Sequence, residues 1–162
     1  MTHFKSGYVA VVGRPNVGKS TLINHLLGTK VSITTPKPQT TRWHVLGIQN
    51  LSDAQIVYVD TPGIHKQQKR AMNRYLNRIA ESMLHDADII AFIVDATRWT
   101  EEDDLVVEKL KNASKPILLV VNKVDLLDDK ALLLPLIERL QSKLSFTHII
   151  PISALRNEQI GR

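Results

Sequence analysis

Residues 13–20 read Gly13-Arg14-Pro15-Asn16-Val17-Gly18-Lys19-Ser20 and lie between a valine-rich segment and a helical pattern. They match G-x-x-x-x-G-K-[ST], a phosphate-binding loop whose glycines let backbone N–H groups curl around phosphate oxygens. Lys19 is expected to bridge the β- and γ-phosphates of a nucleotide, and Ser20 to offer its hydroxyl oxygen to Mg²⁺. The predicted phosphate-binding residues of this segment are Gly13, Asn16, Val17, Gly18, Lys19, Ser20 and Thr21.

Short apolar runs and helical patterns alternate around this phosphate loop. Runs rich in Val and Ile predict buried strands at Tyr8 to Val12, Gln55 to Val59, Ile89 to Val94, Ile117 to Val121 and His148 to Ile152. Helices are predicted at Ser20 to Leu27, Arg70 to Leu84, Glu101 to Asn112 and Lys130 to Leu144, with Thr100 capping the third. Residues 30–42, rich in proline and hydroxyl side chains, predict a mobile loop. The alternation predicts an α/β P-loop NTPase fold, a mostly parallel sheet with helices on both faces.

The composition is typical of one folded domain. The chain has 162 residues, is 43% apolar and 23% charged, and lacks cysteine, which excludes disulfides, thiol nucleophiles and cysteine metal sites. Residues 1–80 hold eleven Lys and Arg side chains against two carboxylates, which favours either a phosphate-rich ligand or a solvated basic face. The apolar runs are far shorter than the roughly 20 residues that span a bilayer, and no signal peptide is evident. We expect a cytoplasmic monomer, and peripheral association with the inner face of the membrane stays open.

Two further motifs follow predicted strands and select the metal and the base. In Asp60-Thr61-Pro62-Gly63, the Asp60 carboxylate can hold Mg²⁺ through water, and the Gly63 N–H can reach the γ-phosphate. In Asn122-Lys123-Val124-Asp125, the Asp125 carboxylate can accept hydrogen bonds from guanine N1–H and the 2-amino group. Adenine would leave that carboxylate unpaired, a difference worth a factor of about 10⁴ in selectivity. These motifs predict binding of GTP and GDP with Mg²⁺.

The order of the motifs resembles that of the translation-factor-related GTPases. The resemblance runs from the phosphate loop through both later motifs to Ser153-Ala154, and so spans essentially the whole chain. The segments Gln39-Thr40-Thr41-Arg42, Asp60-Thr61-Pro62-Gly63-Ile64-His65 and Val94-Asp95-Ala96-Thr97-Arg98-Trp99-Thr100 are similar to those of the bacterial Era GTPases. The resemblance implies a Ras-like G domain that switches between GTP-bound and GDP-bound states. It also implies that the whole protein helps to mature the RNA of the small ribosomal subunit.

The same resemblance assigns roles to individual residues. Thr41, with Thr40 as the second candidate, would be the switch threonine that closes on Mg²⁺ and the γ-phosphate. Lys123 would pack its stem against the base, beside Asn122 and Asp125 of the same motif. Ser153 and Ala154 would direct backbone N–H groups to the guanine 6-oxo group.

Ile64 and Asn16 bear on the rate of hydrolysis. Ile64 stands where Ras-like proteins have a glutamine that orients water, and it cannot hydrogen-bond water, so hydrolysis should be slow alone or depend on another group. Asn16 is similar to the asparagine that binds potassium in related GTPases, and such a cation would neutralise developing charge. The alternative is that Asn16 only shapes the loop. His65 could relay protons, although a surface role is the default.

Other interpretations of the chain stay open. A P-loop kinase or ATPase is the first alternative, and a nucleotide-binding module that hydrolyses nothing by itself is the second. Era proteins continue into a final helix and then a KH-type RNA-binding domain, so residues 1–162 are expected to be a truncated GTPase domain that lacks both parts. A basic segment after Gly63 could contact RNA, or it could be a solvated helix face. It consists of Lys66, Lys69, Arg70, Arg74 and Arg78.

Overall fold

The computed structural model of the protein describes residues 3–28, 44–61, 78 and 80–156. Its centre is a six-stranded sheet with the strand order β2-β3-β1-β4-β5-β6. The strands are β1 (Lys5–Val12), β2 (His44–Asn50), β3 (Ala54–Asp60), β4 (Ile89–Asp95), β5 (Ile117–Asn122) and β6 (His148–Pro151). Neighbouring strands are parallel except β2 and β3, which are antiparallel. The predicted α/β fold with a mostly parallel sheet is confirmed.

Helices connect the parallel strands. They are α1 (Lys19–Leu27), α2, of which residues 78 and 80–86 are described, α3 (Glu101–Leu110) and α4 (Leu133–Gln141), with 3₁₀ turns at Val124–Leu126 and Lys130–Leu132. Within the described ranges, no helix is both long and apolar enough to cross a membrane. α3 begins after Thr100 as predicted, and the Thr100 backbone N–H donates to Asp103 Oδ2 at 2.8 Å. The fourth helix, predicted at Lys130 to Leu144, is too long at both ends, since Lys130–Leu132 form a 3₁₀ turn and α4 ends at Gln141.

The core lies on both faces of the sheet, because successive side chains of each strand point to opposite sides. In β4, Ile90, Phe92 and Val94 pack with residues of α2, α3 and α4. Ile93 packs on the other face with Leu22 and Ile23 of α1. This arrangement explains why the inner strands read as continuous apolar runs, and it confirms helices on both faces.

Strand β2 is the one described strand that the sequence did not predict. It lies at the edge of the sheet, pairs only with β3, and has a shift in register between Val45 and Gly47. A Cβ atom at Gly47 would lie 2.1 Å from Leu27 Cδ1, so α1 packs directly over the strand backbone there. The glycine interrupts the apolar run that would have indicated a strand. The loop predicted at residues 30–42 lies outside the described residues.

Candidate nucleotide-binding site

The carboxyl ends of the parallel strands meet at one edge of the sheet, which is where open α/β sheets bind ligands. β1 ends just before Gly13 of the phosphate loop, and its Val11 pairs with Asp60 at the end of β3. On the other side, Asp95 at the end of β4 pairs with Asn122 at the end of β5. The fold therefore brings together motifs that lie more than 100 residues apart in the sequence.

The backbone of the phosphate loop takes a conformation that few residues tolerate. Gly18 has φ +99°, and a Cβ atom there would lie 2.2 Å from Asn122 Nδ2, so glycine is required on both counts. Asn16 has φ 64°, in the left-handed region that asparagine enters more readily than most residues. The loop thus wraps against the Asn122 side chain before α1 begins.

Lys19 is drawn inward across this loop. Its Nζ donates to the carbonyl oxygen of Gly13 at 2.5 Å. Burial lowers the pKa of Lys19, and the nearby Asp60 carboxylate partly offsets that effect. A cation that is already partly desolvated attracts a phosphate more strongly than one in open water, since the local dielectric is lower.

Asn122 joins three segments of the site. Its Nδ2 donates to the carbonyl oxygen of Val17 at 2.8 Å, and its Oδ1 accepts from the backbone N–H of Ala154 at 2.9 Å. The side chain is buried, so both bonds are shielded from water. The Ala154 N–H, which the resemblance assigned to the guanine 6-oxo group, donates to Asn122 instead.

Asp125 is held by the segment after β6. The hydroxyl of Ser153 donates to Asp125 Oδ1 at 2.7 Å, and Arg156 Nε lies 3.6 Å from Asp125 Oδ2. The Asp125 side chain is 4% exposed, whereas that of Arg156 is 61% exposed. Ser153 therefore orients the carboxylate through its side chain, a contact that the sequence did not predict.

These elements surround a cavity of about 460 Å³. Cavities of this size are ordinary for small-molecule ligands. Nine lining residues are ones that the sequence predicted, and the other two, Leu126 and Leu155, are exposed apolar side chains that no motif indicated. The predicted lining residues are Asn16, Gly18, Lys19, Ser20, Thr21, Asn122, Lys123, Asp125 and Ala154.

The oxygen donors beside the phosphate loop fit a magnesium ion. Ser20 lines the cavity in the first turn of α1, and the Asp60 carboxylate is near enough to Lys19 to act on its pKa. Among the described residues no group of three or more His, Cys, Asp or Glu side chains could hold a metal. Mg²⁺ suits such a site because it uses one or two protein ligands with phosphate oxygens and waters. Four of the predicted site residues lie outside the described ranges, namely Thr40, Thr41, Gly63 and Ile64.

Four charged residues near the site were not among the predicted site residues. Arg14 lies within the phosphate-loop motif, Asp95 ends β4, Asp103 lies in the first turn of α3, and Arg156 lies two residues after Ala154. One signal could have found Asp95, because it is a polar residue at the carboxyl end of a buried strand, as are Asp60 and Asn122. No local signal indicates a partnership between Arg14 and Asp103.

Comparison with known proteins assigns the chain to a family. The sequence pattern of the family described as 50S ribosome-binding GTPase matches residues 8–123. The chain belongs to that family. Its sequence is 56% identical over 156 residues to GTPase Era of Ectopseudomonas mendocina (strain ymp), covering 96% of this chain and 52% of that protein. It is 53% identical over 156 residues to GTPase Era of Azotobacter vinelandii, again covering 96% and 52%.

Solved structures of Era share the fold. A complex of Era with MgGDPNP and nucleotides 1506–1542 of 16S ribosomal RNA superposes with a TM-score of 0.75 at 45% identity, covering 98% of this chain and 54% of that one. An Aquifex aeolicus Era variant bound to GDP and AlF4⁻ gives a TM-score of 0.74 at 45% identity, covering 97% and 54%. The resemblance to the Era GTPases is thereby confirmed. The chain spans about half the length of these relatives.

Proposed function

We propose that the protein binds guanine nucleotides in this cavity and hydrolyses GTP to GDP and phosphate, as the GTPase domain of an Era-like switch. The observation that carries the proposal is the position of Asp125, a buried carboxylate that is held by Ser153 and lines the same cavity as Lys19. A carboxylate there matches the two donors on the guanine edge, and a lysine at the other end matches phosphates.

Different residues of the site would bind the phosphates and Mg²⁺ and respond to the γ-phosphate. Backbone N–H groups of the phosphate loop and Lys19 would bind the β- and γ-phosphates, where the N-terminus of α1 also favours negative charge. Ser20 and Asp60 would hold Mg²⁺, which neutralises the charge that develops on the phosphate oxygens. Thr41 and Gly63 would order their segments on the γ-phosphate and release them after hydrolysis, which makes the cycle a switch.

Competition between nucleotides tests this proposal. The protein is titrated with fluorescent GDP, and unlabelled GDP, GTP, ADP and ATP are added as competitors. We expect guanine nucleotides to displace the probe and adenine nucleotides to be weaker by at least about 10³, because adenine leaves the Asp125 carboxylate unpaired. Equal competition by ATP and ADP would favour the kinase or ATPase alternative. Guanine binding without single-turnover hydrolysis would favour the module that only binds nucleotide.

We also propose that potassium stimulates the reaction through Asn16. The residue lines the cavity at the phosphate end, and its positive φ is tolerated by glycine as well as by asparagine. GTP hydrolysis in potassium chloride should exceed that in sodium chloride at equal ionic strength by about tenfold, because the cation would neutralise the developing charge that an arginine finger neutralises in other GTPases. Asn16→Gly keeps the loop conformation and should remove the difference between the salts. Equal rates in both salts for the unmodified protein would mean that Asn16 only shapes the loop.

The partner of the switch is proposed from the relatives. Era has been crystallised with a 16S ribosomal RNA fragment, while the family description names the 50S subunit. The longer similarity is to Era, so we propose the small subunit and its RNA as the partner of the whole protein, through a KH-type domain outside these residues. The basic residues Lys66, Lys69, Arg70 and Arg74 lie outside the described ranges, and Arg78 is exposed at the start of the described part of α2.

The cellular setting follows from the same proposal. GTP and ribosomal RNA meet in the cytoplasm, so we propose a cytoplasmic protein that acts as a monomer. For association with the inner face of the membrane, we propose that basic side chains pair with anionic lipids.

A further inference from the structure

Asp95 lies at the centre of the edge that forms the nucleotide site. It ends β4, which is placed between β1, the strand before the phosphate loop, and β5, the strand before the guanine motif (residues 122–125). Its side chain is 7% exposed. Its Oδ1 accepts hydrogen bonds from the backbone N–H of Thr97 at 2.8 Å and from the Thr97 hydroxyl at 2.6 Å. Two bonds to one oxygen fix the carboxylate and leave Oδ2 for other partners.

Lys123 pairs with Asp95 Oδ2. Its Nζ lies 2.8 Å from Asp95 Oδ2 and also donates to the carbonyl oxygen of Asn16 at 2.8 Å. Lys123 itself has φ 65°, a left-handed conformation that is uncommon for a long side chain. One ammonium group therefore joins the end of β4, the guanine motif and the phosphate loop.

Arg14 approaches the same carboxylate from the phosphate loop. Its guanidinium NH2 group lies 3.8 Å from Asp95 Oδ2 and donates to the carbonyl oxygen of Arg98 at 2.9 Å. The phosphate loop and the guanine motif thus each contribute one cationic side chain that lies near Asp95. Such a shared anion restricts both segments at once, because moving Lys123 breaks a charge-assisted hydrogen bond and moving Arg14 weakens an ion pair.

We infer that Asp95 is a positioning residue of the nucleotide site, which holds the Lys123 side chain ready for the base and ties the guanine motif to the phosphate loop. The inference rests on the proposed guanine nucleotide binding. A lysine that is anchored before the ligand arrives loses less conformational freedom on binding, so its contact with the base costs less. Asp95 should therefore act on nucleotide affinity and leave the chemical step alone.

Substitution of Asp95 tests this role against a matched aspartate. Asp95→Asn should raise the Kd for GDP and the KM for GTP by about tenfold to a hundredfold, while kcat at saturating GTP changes by less than about twofold. Asp104→Asn is the control, since Asp104 also pairs with a lysine, Lys143 Nζ at 3.0 Å, but lies on the exposed surface of α3. Its GDP affinity should equal that of the unmodified protein.

Lys123→Met shows whether Asp95 acts through the lysine. If it does, Asp95→Asn adds little to the loss of GDP affinity already caused by Lys123→Met. Thr97→Val removes one bond to Asp95 at an exposed position and should weaken GDP binding by about threefold, so the inference can be tested even if Asp95→Asn does not fold. Additive losses in the double variant, unchanged GDP affinity in Asp95→Asn and Thr97→Val, or a fall in kcat at constant KM would overturn the inference while the proposed function stands. Failure of the unmodified protein to bind GDP would overturn both.

Discussion

Asp125→Asn should lower the affinity of the protein for GDP by a factor of about 10⁴ and raise its affinity for xanthosine diphosphate. The Asp125 side chain is 4% exposed, and the Ser153 hydroxyl donates to its Oδ1 at 2.7 Å. The side chain is therefore held in place, and water cannot readily replace a hydrogen-bond donor that a variant or a wrong base fails to supply. An amide of the same shape presents a donor to the donors of guanine, which leaves buried groups unpaired. Xanthine carries an oxygen in place of the 2-amino group and can accept from that amide.

The matched control is Asp128→Asn, the same chemical change at an exposed aspartate three residues further along the chain. Its GDP affinity should stay within about twofold of the unmodified protein, since exposed polar substitutions rarely matter. Titration with fluorescent GDP and competition by GDP and xanthosine diphosphate measure both variants. If Asp125→Asn binds GDP as tightly as the unmodified protein, residues 122–125 do not recognise guanine.

The sequence was sufficient for the parallel part of the fold. Strands such as β4 are buried on both faces, so they appear as uninterrupted runs of Val, Ile and Phe that need no tertiary information to be found. Strand β2 is different, because an edge strand with Gly47 under Leu27 has neither a continuous apolar run nor strict alternation. Its position follows from pairing with β3, which a local pattern cannot show.

For the candidate site, too, local patterns predicted some features, and others depend on tertiary contacts. The residues proposed to contact the nucleotide come from short motifs with fixed spacing, so Lys19, Ser20, Asn122 and Asp125 could be predicted from the sequence. The structure places all four on one cavity. The contacts that hold them join distant parts of the chain, such as Asn122 with Val17 and Arg14 with Asp103. These pairs depend on which strands lie side by side in the sheet, so the spacing of residues in the sequence does not predict them.

Arg14→Met should lower the free energy of unfolding of the nucleotide-free protein by about 3–5 kcal/mol. The Asp103 side chain is fully buried, and its Oδ2 accepts from Arg14 Nε at 2.9 Å. Its other oxygen, Oδ1, has no hydrogen-bond partner among the residues that the structure describes. Removing the guanidinium leaves a carboxylate in the interior with only the bonds of Thr100, too little to offset its lost hydration.

The second substitution Asp103→Asn should restore more than half of that loss, because a neutral amide needs no counter-charge, and urea unfolding of the single and double variants measures it. Lys143→Met is the control for removing a cation, since Lys143 pairs with Asp104 on the surface and should change the free energy of unfolding by less than about 1 kcal/mol. An Arg14→Met variant within that same range would show that Asp103 is neutral or hydrated in the folded protein. A double variant that loses the sum of both single losses would instead assign Arg14 a packing role, through its stem alone.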